Sequence, residues 1–260
     1  MKTRIVIPAR MASTRLPGKP LADIGGVPMI LRVAEVARQA GFGEPLIAAG
    51  DQEIFECARQ AGFEAVLTPA DLPSGTDRVH AALKIANNAQ THAPCDCVVN
   101  LQGDLPLIDP QLIKQVVKVL VQVPSAEIAT LVAPIETEVE RTNPDIVKAV
   151  LTPLYRETSQ QEAGQQNGQL FRALYFTRAE APSGDGPHYQ HIGIYAYRGA
   201  ALDKFTNLPS GTLENRERLE QLRALENGME IVAALVGQVP QGVDSPDDLA
   251  RVRAQVGENQ

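Results

Sequence analysis

Tryptophan is missing from the 260-residue chain, and six phenylalanines and five tyrosines are the only other large rings. Platforms on which single-stranded bases stack need such rings, so that class of function is excluded. An excess of positive charge is also lacking: 24 Lys and Arg face 31 Asp and Glu, a formal net charge of −7. A general nucleic-acid binder would show a basic footprint, and no nucleic-acid partner is expected. No apolar run approaches the roughly 20 residues of a spanning helix. The opening MKTRIVIPARMASTR holds too short an apolar stretch for a signal-peptide core of about 7–15 residues. The expectation is a cytoplasmic chain without membrane insertion. Cysteine is scarce, and Cys95 and Cys97 are too close for an ordinary disulfide. No second Cys/His pair completes a zinc set, so these two and Cys57 read as reduced structural thiols.

What the chain does have is apolar residues, 44% of the total, enough for a sizeable core and too many for a disordered protein. Short apolar runs alternate with amphipathic stretches. Ile5–Ile7, Leu46–Ala49, Ala65–Leu67 and Val98–Leu101 read as buried strands. Between and after them, Met29, Val33, Val36, Ala37 and Ala40, then residues 52–61, then Leu112, Val116, Val119, Leu120 and Val123 carry helical spacing. Strand and helix in alternation predict an α/β fold with a parallel sheet. From residue 128 the grammar changes. Ile128–Ala133, Ile146–Leu151, Phe171–Phe176 and Ile192–Tyr197 are strand-like with few helices between them, which predicts an antiparallel extension over about 128–200 within one domain spanning 1–260. The Gln-rich stretch 156–169 reads as a hairpin loop, and Leu213–Asn227 and Pro246–Val256 as closing helices.

Charge is sharply segregated. Lys2, Arg4, Arg10, Arg15 and Lys19 precede the first acid, Asp23, while the other 240 residues carry 19 positive and 31 negative charges. A loop after a buried strand that holds Arg10, Arg15, Pro17-Gly18 and Lys19 suits a polyphosphate site at the carboxyl end of a parallel sheet. A solvated basic loop is the other reading. Lys19 follows one glycine and precedes Pro20, so this is no Walker loop, and no G-x-G-x-x-G follows the strand. Asp104, after Leu101-Gln102-Gly103, could hold magnesium against substrate phosphates or simply sit in a turn before Pro106. Ser245, Pro246 and Asp248 fit a capped helix start, which leaves Asp244 unassigned and available as a second metal ligand. Ser74-Gly75-Thr76-Asp77-Arg78 could touch ribose, base or phosphate, or cap a helix. His191 begins a strand with Tyr195 on the same alternation, a pattern that ordinarily serves structure. No Ser-His-Asp or Cys-His nucleophile emerges.

The segments IPARMASTRLPGKPL (7–21), SGTDR (74–78), NLQGDLPLI (100–108), LYFTR (174–178), HIGIYAYR (191–198), LENRERLEQLRALE (213–226) and GVDSPDDLARV (242–252) run in one order along nearly the whole chain. Together they resemble the 3-deoxy-manno-octulosonate cytidylyltransferases, the CMP-Kdo synthetases of lipopolysaccharide assembly. STRLPGKPL carries more of the likeness than any short phosphate motif. QGD with LEQLR separates the family from the sialic-acid cytidylyltransferases. The resemblance implies a Rossmann-like nucleotidyltransferase fold with a smaller antiparallel extension for dimerisation, and CTP and Kdo as substrates with Mg²⁺ as cofactor. It implies Arg10, Arg15 and Lys19 on the triphosphate, Lys19 also in catalysis, and Ser74 and Arg78 in the nucleotide site. It implies Asp104 and Asp244 as catalytic metal ligands, and Gln102, Arg178, His191, Tyr195, Glu220 and Gln221 at the acid sugar. Lys148 matches a family position whose role stays open. The chain departs from the family pattern at Leu105 after QGD, at Gly50 where the strand commonly ends Ala-Thr-Asp, and in a short 179–190 segment. A related acid sugar (8-amino-Kdo or a sialic acid) and an inactive nucleotide-binding regulator are the alternatives.

Overall fold

The computed structural model describes residues 1–12, 15–89, 95–154 and 168–258. These form two compact bodies, Met1–Lys114 with Pro240–Gln260, and Gln115–Val239. In the first body β1 (Thr3–Ala9) is followed by the small ribbon β2 (Asp23–Ile24) and β3 (Val27–Pro28), then α1 (Met29–Gln39). There follow β4 (Leu46–Ala49), α2 (Gln52–Gln60), β5 (Glu64–Leu67), α3 (Gly75–Asn88), β6 (Cys97–Leu101) and α4 (Pro110–Gln122), which runs on into the second body. The strands pair in parallel in the order β5-β4-β1-β6, with Val6 opposite both Leu46 and Asn100 and Leu46 opposite Glu64. Nearly every residue of β1, β4 and β6 is buried, which is why they read as unbroken apolar runs rather than alternating ones.

The second body holds β7 (Ile128–Ile135), α5 (Glu138–Thr142), β8 (Lys148–Pro153), β9 (Leu170–Thr177), β10 (His188–Arg198), α6 (Gly199–Thr206), α7 (Thr212–Glu217), α8 (Leu222–Glu226) and β11 (Ile231–Leu235). Its strands run β10-β7-β11-β9-β8, and β8 pairs again with β10 at Lys148 and Gln190, so the sheet curls back on itself. All these pairs are antiparallel except β7 with β11. Residues 128–200 lie inside this body.

One expectation needs correction. Leu213–Asn227 is not one helix: Arg218 takes a left-handed conformation (φ 56°) that splits α7 from α8. The strand β11 went unread, although Ile231–Leu235 is wholly buried. The Gln-rich loop expected at 156–169 lies almost wholly outside the described residues. The final helix α9 (Pro246–Glu258) belongs to the first body and buries Leu249, Val252 and Val256 with Val243 against Ile24 and Met29. Its start carries the expected reciprocal cap: Asp248 N–H donates to Ser245 Oγ at 3.2 Å, and Ser245 N–H to Asp248 Oδ2 at 2.9 Å.

Candidate active site

The loop leaving β1 is shaped by local chemistry. Met11 N–H donates to Asp51 Oδ2 at 2.7 Å, which ties the loop to the N-cap of α2. Gly18 adopts φ 70°, a conformation costly for any side chain, and starts a short 3₁₀ turn over Lys19–Leu21 with Pro20 inside it. That turn points Lys19 inward. Its Nζ donates to Asp104 Oδ2 at 2.9 Å and to Asp244 Oδ1 at 3.1 Å. Burial works against the ammonium, but the Asp104 and Asp244 carboxylates outweigh it and hold the Lys19 pKa above the usual lysine value. Arg15 adds an exposed contact to Asp244 at 3.4 Å. A main-chain bond closes the arrangement, Val243 N–H to Asp104 carbonyl at 2.9 Å.

These groups line a cavity of about 380 Å³ in the first body, with Arg10, Arg15, Lys19, Ser74, Arg78, Gln102, Asp104 and Asp244 all on its wall. Every one of the sequence-nominated nucleotide and metal residues is therefore brought together, along with Gln102. Ser74 caps α3, accepting from Asp77 N–H at 3.1 Å, so the capping reading holds while the residue still faces the cavity. Arg78 is 2% exposed and donates to Thr68 Oγ1 at 2.6 Å and to the Pro69 carbonyl at 3.1 Å. Desolvation, with Arg10 nearby, lowers its pKa, yet a guanidinium remains charged. Gly50, where the chain departs from the family pattern, leaves little room: a Cβ there would lie 2.7 Å from Arg78 Nη1. Gln102 is steadied by the buried Asn100, whose amide in turn reaches Thr76 Oγ1 at 3.1 Å.

Two carboxylates that already share one cation suit magnesium, which takes one or two protein carboxylates and completes its shell with phosphate oxygens and water. Among the described residues no cluster of three or more His, Cys, Asp or Glu forms a metal set.

The remaining nominated residues lie in the second body. His191 and Tyr195 of β10 stack at 5.3 Å between centroids, and Phe176 meets His191 edge-on at 5.0 Å. Desolvation pushes the His191 pKa down to about 3. Thr130 Oγ1 lies 3.1 Å from His191 Nε2 and 2.9 Å from the Ile194 carbonyl. A carbonyl only accepts, so the hydroxyl proton points there, and Nε2 carries the imidazole proton as donor. The ring is neutral, with Nδ1 left as an acceptor. Tyr195 is held well above the usual phenol range by burial, then by Tyr197 and Glu220, and keeps its proton. Gln221 is 5% exposed at the start of α8. Arg178, just past β9, donates from Nε to the Glu217 carbonyl at 3.1 Å and from Nη1 to the Pro144 carbonyl at 3.0 Å.

Sequence reasoning missed Asn100 and Glu217 as supports of the site; Thr76 lay inside the nominated segment 74–78, and Asp51 next to the noted departure at Gly50. Glu217 had no signal, being an acid in a run of ordinary surface composition, whereas Asp51 follows the buried apolar run Leu46–Ala49. Asn100 did have one: a polar residue inside the apolar run Cys97–Leu101 calls for a partner.

A family model described as cytidylyltransferase matches residues 4–231. The 3-deoxy-manno-octulosonate cytidylyltransferase of Rhodospirillum rubrum is 54% identical over 253 residues, 97% of this chain and 95% of that protein. Its counterpart from Parvibaculum lavamentivorans is 54% identical over 250 residues, 96% and 91% of the two chains. Among solved structures, a CMP:2-keto-3-deoxy-manno-octonic acid synthetase complexed with CTP superposes with a TM-score of 0.85 at 34% identity, covering all of both chains. A parallel α/β body with a cationic loop, one acid past β6 and another just before α9, in a chain matched over almost its full length, places this chain in the cytidylyltransferase family, among the 3-deoxy-manno-octulosonate cytidylyltransferases.

Proposed function

We propose that the chain transfers CMP from CTP to the anomeric hydroxyl of Kdo, giving CMP-Kdo for lipopolysaccharide synthesis and releasing pyrophosphate. The observation that carries this reading is the meeting of Lys19 with both Asp104 and Asp244 in a cavity also lined by Arg10, Arg15 and Arg78. Attack at the α-phosphorus in line with departing pyrophosphate leaves little covalent work to the protein. Positioning and charge neutralisation dominate. Arg10, Arg15 and Lys19 hold the triphosphate, and Ser74 and Arg78 bound the nucleoside end. Asp104 and Asp244 would hold Mg²⁺, which when bound neutralises charge on the phosphates.

The sugar acid carries a carboxylate. His191, being neutral, offers it no charge, so that task falls to Arg178. His191 and Tyr195 then serve as neutral hydrogen-bonding groups toward sugar hydroxyls, with Glu220 and Gln221. The same reading makes the protein a homodimer of the cytoplasm. No helix among the described residues is long and apolar enough to cross a membrane.

The test is pyrophosphate release from CTP and Mg²⁺ with Kdo, 8-amino-Kdo or N-acetylneuraminate in parallel. Turnover with Kdo above the other two is the expected result. Preference for another sugar would reassign the substrate, and CTP binding without turnover on any of them would favour the regulator. Light scattering on the purified chain tests the dimer.

A further inference from the structure

Lys148 is the most completely buried cation among the described residues: it is 0% exposed, at the first position of β8. Among the described residues its ammonium has no carboxylate at hydrogen-bonding distance. Its three N–H groups go to three backbone carbonyls, Asn143 at 2.6 Å, Ile146 at 2.8 Å and Arg178 at 3.0 Å. Complete satisfaction makes such burial tolerable, and loss of the donor would leave the carbonyls stranded. The choice of acceptors is informative. Two belong to the turn before β8 and the third to Arg178, and the same turn returns the contact: Pro144, between Asn143 and Ile146, accepts from Arg178 Nη1 at 3.0 Å. Glu217 holds the other side of the residue, taking Arg178 N–H on Oε2 at 3.0 Å and Nε on its carbonyl at 3.1 Å. Arg178 is thus fixed at its amide, its carbonyl and two of its three guanidinium nitrogens, with Nη2 making no hydrogen bond among the described residues.

We propose that Lys148 is a positioning residue for substrate binding: it locks the 143–146 turn against Arg178 and so aims the Arg178 guanidinium at the carboxylate of the acid substrate. This rests on the assignment of Arg178 made above. An unpositioned arginine must order a rotamer-rich side chain on binding, so freeing it weakens sugar capture while leaving the nucleotide end alone.

The experiment is steady-state pyrophosphate release with Kdo and CTP varied separately, on the full chain, for Lys148→Met, Pro144→Gly, Arg178→Met and the Lys148→Met/Arg178→Met double variant. Lys148→Met should raise KM for Kdo by about tenfold and change KM for CTP by less than about twofold. The double variant should bind Kdo no worse than Arg178→Met alone. Pro144 is exposed, so Pro144→Gly loosens the turn without disturbing the buried cation. It should shift KM for Kdo in the same direction, and carries the test if Lys148→Met fails to fold. Lowered melting temperature with unchanged KM for Kdo in Lys148→Met, or in Pro144→Gly where Lys148→Met fails to fold, would overturn the proposal, as would multiplicative effects in the double variant. An unchanged KM for Kdo in Arg178→Met would remove the arginine assignment and the proposal with it. Failure of the wild-type chain to use Kdo would instead defeat the functional reading.

Discussion

Asp104 and Asp244 are joined twice: through the Lys19 ammonium that both carboxylates accept from, and through the bond between the Asp104 carbonyl and the amide of Val243 beside Asp244. The second link is main chain and survives any change at either acid side chain. Val243 and the apolar face of α9 pack on Ile24 and Met29, which anchors the segment carrying Asp244 to the ribbon that follows the cationic loop. Placement of the acids is thus a property of the core, while their charge is free to serve the ligand.

It follows that Asp104→Asn and Asp244→Asn separate stability from activity. Each should lower kcat by about a hundredfold or more, the scale of losing an electrostatic contributor in a reacting site. Each should change unfolding free energy by no more than about 1 kcal/mol, because the ion pairs lost are partly exposed. Pyrophosphate release and urea unfolding on the same samples decide it. Wild-type turnover in either variant would remove that carboxylate from the metal role.

Gly50→Ala tests the tight approach beneath Arg78. The new methyl would sit 2.7 Å from Nη1, and the guanidinium cannot swing aside without breaking its bonds to Thr68 and Pro69. Overpacking of this kind costs about 1–3 kcal/mol. If Arg78 touches the nucleotide, the displacement should also weaken CTP. Calorimetric titration with CTP would show a raised Kd, and an unchanged Kd with a lowered melting temperature would limit Arg78 to a structural role.

The parallel body was legible because β1, β4 and β6 are buried on both faces and its helices are amphipathic, so these strands stand out as apolar runs followed by Pro, Gly or Asp. The N-terminal charge segregation likewise marked the cationic loop. The convergence of Asp104 with Asp244 was not in the composition or spacing, because it depends on a long-range backbone bond and on α9 packing. The split between α7 and α8 had no local signal either. Arg216, Glu217 and Arg218 are good helix formers, and the break is tertiary, since Glu217 is claimed by Thr177 Oγ1 at 2.9 Å and by the Arg178 amide. Lys148 falls inside the expected strand Ile146–Leu151 with no role legible from the sequence, and its three carbonyl partners give it a purpose.

His191 makes stability depend on pH in a definite window. Its pKa is about 3 in the folded chain, against about 6.5 when unfolded. Between those values the unfolded chain binds the extra proton, so stability falls as pH drops below about 6.5 and this contribution levels off below about 3. One proton limits the slope to about 1.4 kcal/mol per pH unit. Glu214 and Asp248, whose pKa values are lowered, lose stability only when the pH falls into the carboxylate range. The histidine part is therefore isolated between pH 6.5 and 5. Urea unfolding of His191→Gln should be flatter than wild type there, and an equal slope would mean that the imidazole protonates freely in the folded chain.

The segment bearing Glu220 and Gln221 leans on a different charge pair. Arg223 and Glu214 are 6% and 8% exposed and meet in a two-pronged contact, Nε to Oε2 at 2.9 Å and Nη2 to Oε1 at 2.6 Å. Glu214 also accepts from Gly211 N–H at 2.9 Å, and the Arg223 guanidinium lies 4.8 Å over the Phe205 ring. Desolvation raises the Glu214 pKa, but Arg223 and the other donors outweigh it and leave it lowered. Removing one partner strands a buried charge, so Glu214→Gln should cost about 3–5 kcal/mol. The Glu214→Leu/Arg223→Met pair, with no charge left to strand, should recover most of that loss. Because Gln221 lies two residues from Arg223, Glu214→Gln should also raise KM for Kdo more than KM for CTP. If unfolding instead moves by less than 1 kcal/mol in Glu214→Gln, the pair is solvated and α8 is held by its apolar side chains alone.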